Sequence, residues 1–417
     1  MVSKLKVKSK QCVKFVLYYT IIVETLIIML HLPSAIRYIN DIANIFIFVF
    51  ILKNIKQIRE NRNLSIISFF VILFLFVCTL SACLNSTPIK LYLWAFRNTF
   101  RGIIYFYGVC LFLNEEDIRE IFKVLFWLQI ISCILALYQF YVLHHIMDDI
   151  GGIFGYGNGA GVNSMNALVT SYYVNIFLNK REKKSFIELS TMVVTSILVA
   201  AIAEEKMTYV YIVLIFIVSV LISKFSLKKF IVVVLGIFVI VGGLNILKKY
   251  YPGMYDTMIN YSETEKYLET TYDEGYRIPR IGAFKFIQKN FLQKKILFGI
   301  GFGNGETSYF NFLQSEFYKT YGDYNYRWFT HQWVFLEEGY IGFISYLSIF
   351  IIIAILNLKD LIKGNGKRYI KIIGLCMCVC TILSIWYNAT LKVDMQYILY
   401  FGLGLSFIKV KNNINKI

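Results

Sequence analysis

Charge is scarce in this chain. Of its 417 residues, 17% are charged and 57% are hydrophobic, where a soluble globular protein carries about 25% and 45–50%. Acidic residues are the rarer sign, 26 against 43 basic. The excess of +17 does not point to nucleic acid, because the lysines and arginines sit in short clusters between apolar runs, as topology signals do. Disulfides are not implied: all eight cysteines fall inside or at the ends of apolar runs. Cys376-x-Cys378-x-Cys380 lacks zinc-ligand spacing and any nearby histidine, so it reads as buried small apolar residues. The first apolar run is too long for a cleavable signal peptide and has no clear small-residue cleavage site.

What remains is apolar sequence. Runs such as Ile66 to Leu84 and Phe230 to Leu247 reach the roughly 20 residues needed to cross a ~30 Å hydrocarbon core. The chain is expected to be an all-α polytopic membrane protein with about twelve spans. These are Cys12 to Leu32, Ile39 to Leu52, Leu64 to Leu84, Leu91 to Leu113, Ile118 to Leu143, Val162 to Leu178, Phe186 to Ala203, Met207 to Ile222, the run from Phe230, Trp333 to Leu356, Ile372 to Trp386 and Met395 to Ile408. With the N-terminus cytoplasmic, the even-side connectors and both tails hold nearly all the short-loop Lys and Arg, so both ends lie inside. Three parts follow: residues 1–247 with nine spans, 248–331 as one large external loop, and 332–417 with three spans and a basic tail.

The long polar interval from Lys248 to Gly342 is where chemistry is expected. Arg277 and Arg280 stand three apart, which puts them on one face if a helix extends back to them. Ile281, Phe284, Ile287 and Phe291 follow at helical spacing with lysines opposite, a pattern suited to the membrane interface. A guanidinium fork fits phosphate oxygens, whereas the lysines serve equally well against anionic headgroups. The ladder Gly299, Gly301, Gly303 and Gly305 is not a dinucleotide fingerprint; it permits bending or close approach to a ligand. The tyrosines of the interval, among them Tyr261, Tyr267, Tyr272 and Tyr276, suit a wet interface or a sugar platform.

All four histidines fall at or beyond outer span ends. His331 differs from His31, His144 and His145 in its company, since Glu337, Glu338 and Gly339-x-x-Gly342 follow it; those glycines also suit ordinary helix packing. Arg97, Arg101, Glu204, Glu205 and Lys206 are the charges nearest the outer half of the bundle, where ionisable groups are costly. Lys206 beside two glutamates also reads as a solvated turn. His145 and Asp149 are one turn apart but nothing supplies further metal ligands.

The layout resembles the O-antigen polymerase and ligase superfamily (Wzy-like). Arg277 to Ala283, then Ile296-Leu297-Phe298-Gly299-Ile300-Gly301-Phe302-Gly303-Asn304, is similar to that family's loop arginine and Gly-hydrophobic-Gly stretch. His331-Gln332 ahead of Leu336-Glu337-Glu338-Gly339-Tyr340-Ile341-Gly342 is similar to its His-(Asn/Gln)…Glu-x-Gly-x-x-Gly signature, and Gly152-Ile153-Phe154-Gly155…Asn158 also matches. The chain departs from the pattern at Glu205-Lys206, where many members carry Ser-Arg. It also lacks the aromatic residue that often follows the loop arginine, which leaves Arg277 and Arg280 as alternatives. The resemblance implies a GT-C-like membrane glycosyltransferase of the bacterial plasma membrane. It would transfer glycan from an undecaprenyl-pyrophosphate-linked oligosaccharide to a growing glycan acceptor at the outer face, with inversion and without metal or cofactor. Arg277, Arg280 and Lys206 would neutralise the pyrophosphate, and His331 would either take the acceptor proton or hydrogen-bond the pyrophosphate. Arg97, Glu337 and Glu338 would support them. The lipid bilayer is a partner, and a flippase and a chain-length regulator are candidate ones. A ligase differs mainly in its acceptor. A flippase or transporter is the rival class, although no internal repeat or matched pair of broken helices is visible; a non-catalytic export partner is a third.

The charge pattern predicts that the Lys248–Thr330 loop is external. Single cysteines placed there, in a background without native cysteines, should react with an impermeant thiol reagent on intact cells. Labelling only after permeabilisation would reverse the orientation.

Overall fold

Across lipid, an apolar chain must pair its own backbone groups, and a helix does so within one segment. Helices are the only regular structure among the described residues of this computed structural model, which are 2–179, 183–224, 226–260, 262–265 and 277–408. In chain order they are α1 (Val2–Met29), α2 (Ile39–Lys53), α3 (Ile55–Glu60), α4 (Arg62–Leu84), α5 (Ile89–Phe112), α6 (Glu115–Tyr141), α7 (Gly159–Asn179) and α8 (Lys183–Ile202). There follow α9 (Lys206–Ile222), α10 (Lys228–Tyr250), α11 (Pro252–Ile259), α12 (Ala283–Ile287), α13 (Glu316–Tyr321), α14 (Thr330–Lys363), α15 (Arg368–Tyr387) and α16 (Gln396–Gly404). Eight of these are long and apolar enough to cross a membrane: α1, α2 with the 3-10 turn before it, α4, α6, α8, α10, α14 and α15. The protein is a polytopic membrane protein.

The layering follows from which helices bury every face. From Gly161 to Phe177 all of α7 is buried, and so is all of α16. Around them pack α5, α8, α9 and α15. The outermost helices show large apolar side chains, such as Phe46, Phe69, Phe76, Phe230 and Phe238, a surface that suits hydrocarbon rather than water. At one end of the bundle, charges tie helix ends together. Asn114 and Asp117 form a capping box that starts α6, and Asp117 also receives Lys14 at 2.9 Å and Lys10. Lys371 reaches Asp360 at 2.5 Å. The opposite end gathers the α1–α2, α6–α7, α8–α9 and α15–α16 connectors.

Helix α14 is broken. Gly339 has φ 66° and ψ −160°, a conformation open essentially only to glycine. The glycine ladder repairs the break. Ile300 and Gly301 donate their N–H groups to the carbonyls of Leu336 and Glu337, both at 3.0 Å. Tyr340 and Ile341 donate in turn to the carbonyls of Ile296 and Leu297, at 3.0 and 3.1 Å. The Ser81 hydroxyl lies 2.6 Å from the Phe298 carbonyl and 2.9 Å from that of Glu337, pinning the ladder to the end of α4. The Gly339-x-x-Gly342 spacing, expected to let two helices approach, instead provides the break, because the ladder backbone takes the space beside Gly339.

Two other expectations change. The segment from Arg277 to Gly282 is not helical, so the two arginines do not share a helix face. The interfacial helix is short, α12 followed by one π-helical turn, Gln288–Leu292. The last expected span, Met395 to Ile408, is also shorter as a helix than its apolar run, forming α16 and a 3-10 turn, Leu405–Phe407. Glu274 to Tyr276, the tyrosines Tyr261, Tyr267 and Tyr272, Lys180 to Glu182 and the basic tail from Lys409 lie outside the described residues.

Gly339→Ala should destabilise the protein by roughly 1–3 kcal/mol through backbone strain, and more where the new Cβ meets the Ile296 carbonyl, 2.5 Å away. A thermal unfolding midpoint in detergent equal to that of the parent would contradict this account of the break.

Candidate functional site

A cavity of about 630 Å³ opens at the end of the bundle where those four connectors meet the polar interval. Each wall comes from a different piece of chain. Glu24 comes from α1 and Arg37 from the turn before α2; Asp148 and Tyr156 to Asn158 come from the α6–α7 connector, and Gly159, Ala160 and Asn163 from the start of α7. Glu205 comes from the α8–α9 turn, Arg280 with Trp328 and Phe329 from the polar interval, and Tyr387 to Ala389 with Val393 to Met395 from the α15–α16 connector.

Most charges of the wall are already matched. Arg37 holds Glu24 with two hydrogen bonds, 2.6 and 2.7 Å long. Behind the wall, Arg101 pairs with Asp394. Arg280 stacks over Phe329 at 4.9 Å and over Tyr387 at 5.6 Å, contacts open to a planar guanidinium that also keep it in place. Asp148 is exposed. Glu205 is buried, with 5% of its surface exposed, and accepts a hydrogen bond from the Asn163 amide at 2.5 Å.

Glu205 stands in the connector between α8 and α9, and burial pushes its carboxyl up to about 8. Asn163 and Lys206 work against that rise, while Asp148 and Glu204 add to it.

The residues named from sequence are not gathered into one place. Arg280 lines the cavity and Arg277 does not; Arg277 lies over the Trp328 ring at 5.2 Å. Lys206 reaches Glu204 at 3.2 Å. Glu204 and Glu205 are both buried, so this is not a solvated turn. Arg97 binds Asp41 and stacks on Tyr38 and Trp94, away from the cavity wall. His331 is 2% exposed and is not part of the wall. Its Nδ1 is 3.1 Å from the Ile385 carbonyl, so Nδ1 carries a proton and Nε2 holds the lone pair. That Nε2 is buried with no hydrogen-bond partner among the described residues. Set against family models and curated proteins, the chain matches none.

Glu337 and Glu338 belong to a second cluster, deeper in the bundle. Glu337 Oε1 accepts the N–H groups of Gly303 and Gly305, at 3.1 and 3.0 Å. Its other oxygen is 3.3 Å from Lys392 Nζ, and Glu306 lies 2.5 Å from the same nitrogen. The three side chains are fully buried. Burial alone would lower the Lys392 pKa; Glu306 and Glu337 outweigh it, and the ammonium is held well above its usual range. Glu338 has no hydrogen-bond partner for either oxygen among the described residues. Neither Glu306 nor Lys392 was singled out as a site residue, and only the placement of a lysine between the last two apolar runs gave a signal. The Gly-rich turn before α7 is as expected, with Gly152, Gly155 and Gly157 at positive φ. His145 packs on Tyr156 at 4.6 Å. Among the described residues no group of three or more His, Cys, Asp or Glu side chains is gathered for a metal.

Removing one partner of a buried pair typically costs about 3–5 kcal/mol, because a buried charge loses its counter-charge. Lys392→Met should therefore lower the unfolding midpoint strongly, and adding Glu306→Gln should recover part of the loss. Equal midpoints for Lys392→Met and the parent would show that the cluster contributes nothing to stability.

Proposed function

We propose that the protein polymerises lipid-linked oligosaccharide repeat units at the outer face of a bacterial plasma membrane. On this reading the four helices α5, α7, α9 and α16 also span the bilayer, giving twelve spans with the large loop between the ninth and tenth. Both termini are cytoplasmic. The observation that carries the reading is the cavity. It lies where the polar interval meets the span ends, and Arg280, aromatic rings and hydrogen-bonding side chains all reach it.

A lipid pyrophosphate at the membrane surface would enter beside Arg280. A fixed guanidinium aimed at the departing oxygens stabilises charge that grows as the glycosidic bond breaks. Tyr156, Trp328, Phe329 and Tyr387 offer flat faces to sugar rings. Attack by an acceptor hydroxyl on the anomeric carbon, with the lipid pyrophosphate leaving from the opposite side, inverts that centre. His331, whose Nε2 lone pair has no partner among the described residues, serves the transfer from behind the wall. Its replacement by alanine is expected to leave insertion intact and abolish polymer. Arg277 and Lys206 serve this reading less directly, as cations near the site rather than in its wall.

Deleting the gene should leave single repeat units on the lipid carrier and no polymer, read by mass analysis of extracted lipids. Arg280→Ala should reproduce that result and Arg280→Lys should recover little of it, since a point charge lacks the bidentate fork. Long glycan accumulating on the carrier would favour the ligase instead. Repeat units confined to the inner leaflet would favour the flippase.

A further inference from the structure

We propose that Glu205 is the general base of the transfer, the group that takes the proton from the acceptor sugar hydroxyl in the cavity. This rests on the polymerase reading and adds the proton acceptor to it. Glu205 lines the cavity and has a built support behind it.

The support is specific. The Asn163 amide donates to Glu205 Oε2 at 2.5 Å. The orientation of that amide is fixed by Thr208, whose hydroxyl donates to Asn163 Oδ1 at 2.8 Å. Thr208 in turn accepts from Asn166 at 3.1 Å, and Asn166 accepts from Gln129 at 2.9 Å. A row of neutral groups therefore holds one carboxylate oxygen and leaves the other turned toward Gly159. At Gly159 an added Cβ would overlap that oxygen, so the glycine gives the carboxylate its place against the first turn of α7. The backbone before Glu205 is also strained. Glu204 has φ 58°, and a non-glycine residue held there costs of order 1–3 kcal/mol, a feature that concentrates at functional sites.

The surroundings suit a base that works near neutral pH. Asp148, Glu204 and Lys206 act on Glu205 from its own turn and from the α6–α7 connector. Arg37 with Glu24, Arg280, and Asp394 with Arg101 complete the charged groups around the cavity. Burial holds the carboxyl at about 8, close to where a general base is most effective. His331 is outside the wall and so is left to the donor side, near Arg280.

The step balances as follows. The acceptor O–H proton passes to Glu205. The oxygen's electron pair forms the new bond to the anomeric carbon, and the bond from that carbon to the phosphate oxygen breaks. Its electron pair leaves with the lipid pyrophosphate, and Glu205 afterwards releases its proton to water through the cavity mouth.

The test uses the full-length protein in lipid nanodiscs and, as substrate, lipid-linked saccharides extracted from cells lacking the gene. Product ladders are measured between pH 6 and pH 9. The parent should polymerise faster as pH rises, with a midpoint near that of the Glu205 carboxyl. Glu205→Gln, which keeps the shape and can still accept from Asn163, should lower the rate by ~10²–10⁴-fold and abolish the rise. It should leave the unfolding midpoint and donor binding unchanged. Asn163→Ala should move the pH midpoint upward, because the ionised carboxylate loses its donor. This variant decides the matter if Glu205→Gln does not insert. A ladder from Glu205→Gln with the parent's rate and profile, or an unmoved midpoint in Asn163→Ala, overturns the assignment and leaves the polymerase reading standing. No ladder from the parent at any pH overturns both.

Discussion

The break in α14 is the constraint on which the rest of the structure depends. Inside a membrane an unpaired peptide group costs several kcal/mol, so a helix can open at depth only if another segment supplies partners at once. Four hydrogen bonds from residues 296–301 do so. That ties the end of the polar interval to the bundle interior rather than leaving it above the surface. Once the ladder is seated, Glu337 turns one oxygen toward the N–H groups of Gly303 and Gly305 and the other toward Lys392. Lys392 begins the stretch whose next three residues, Val393 to Met395, form part of the cavity wall. A backbone requirement deep in α14 is thus passed, through one buried ammonium, to the shape of the cavity.

The same residue types do different work at the two depths. In the inner cluster Lys392 stands between Glu306 and Glu337, and all three side chains are fully buried, an arrangement that specifies one packing. In the wall, Glu205 lines an open space. Composition cannot separate these cases, because each is a carboxylate among apolar residues. Only the identity of the neighbours does.

This difference marks how far the sequence could be read. Apolar runs and basic connectors are local signals, and they locate most of the long helices, including the start of α14 beside His331, although α1 begins earlier and α14 ends later than their apolar runs. Chain order also indicated that the polar interval would meet the span ends. The break at Gly339 was not legible, since its cause is a pairing between residues 336–341 and 296–301 that no periodicity records. Arg277 and Arg280 looked like one helix face because three-residue spacing implies it only when the backbone is helical, and there it is not. Lys206 looked like a site cation, yet its neighbour Glu204 takes it. Glu24 and Arg37 form the reverse case. An acid inside an apolar run is unusual enough to ask for a partner, and Arg37 across the first connector was within reach of that question.

The proposed pyrophosphate donor poses a last difficulty, which the wall itself answers. Four carboxylates border the cavity against two arginines, an excess that would repel an anion. At about 5 Å and an effective dielectric of about 20, each unmatched unit charge would cost roughly 3 kcal/mol. Yet Glu24 is held by Arg37 and Asp394 by Arg101, so neither presents net charge to the space. Glu205 is largely protonated at neutral pH, with its carboxyl at about 8. Only Asp148 remains, and it is exposed, where water and salt screen it. A wall that counts as acidic by composition is therefore less so in charge, and its ability to admit the proposed anion should weaken as pH rises and Glu205 ionises.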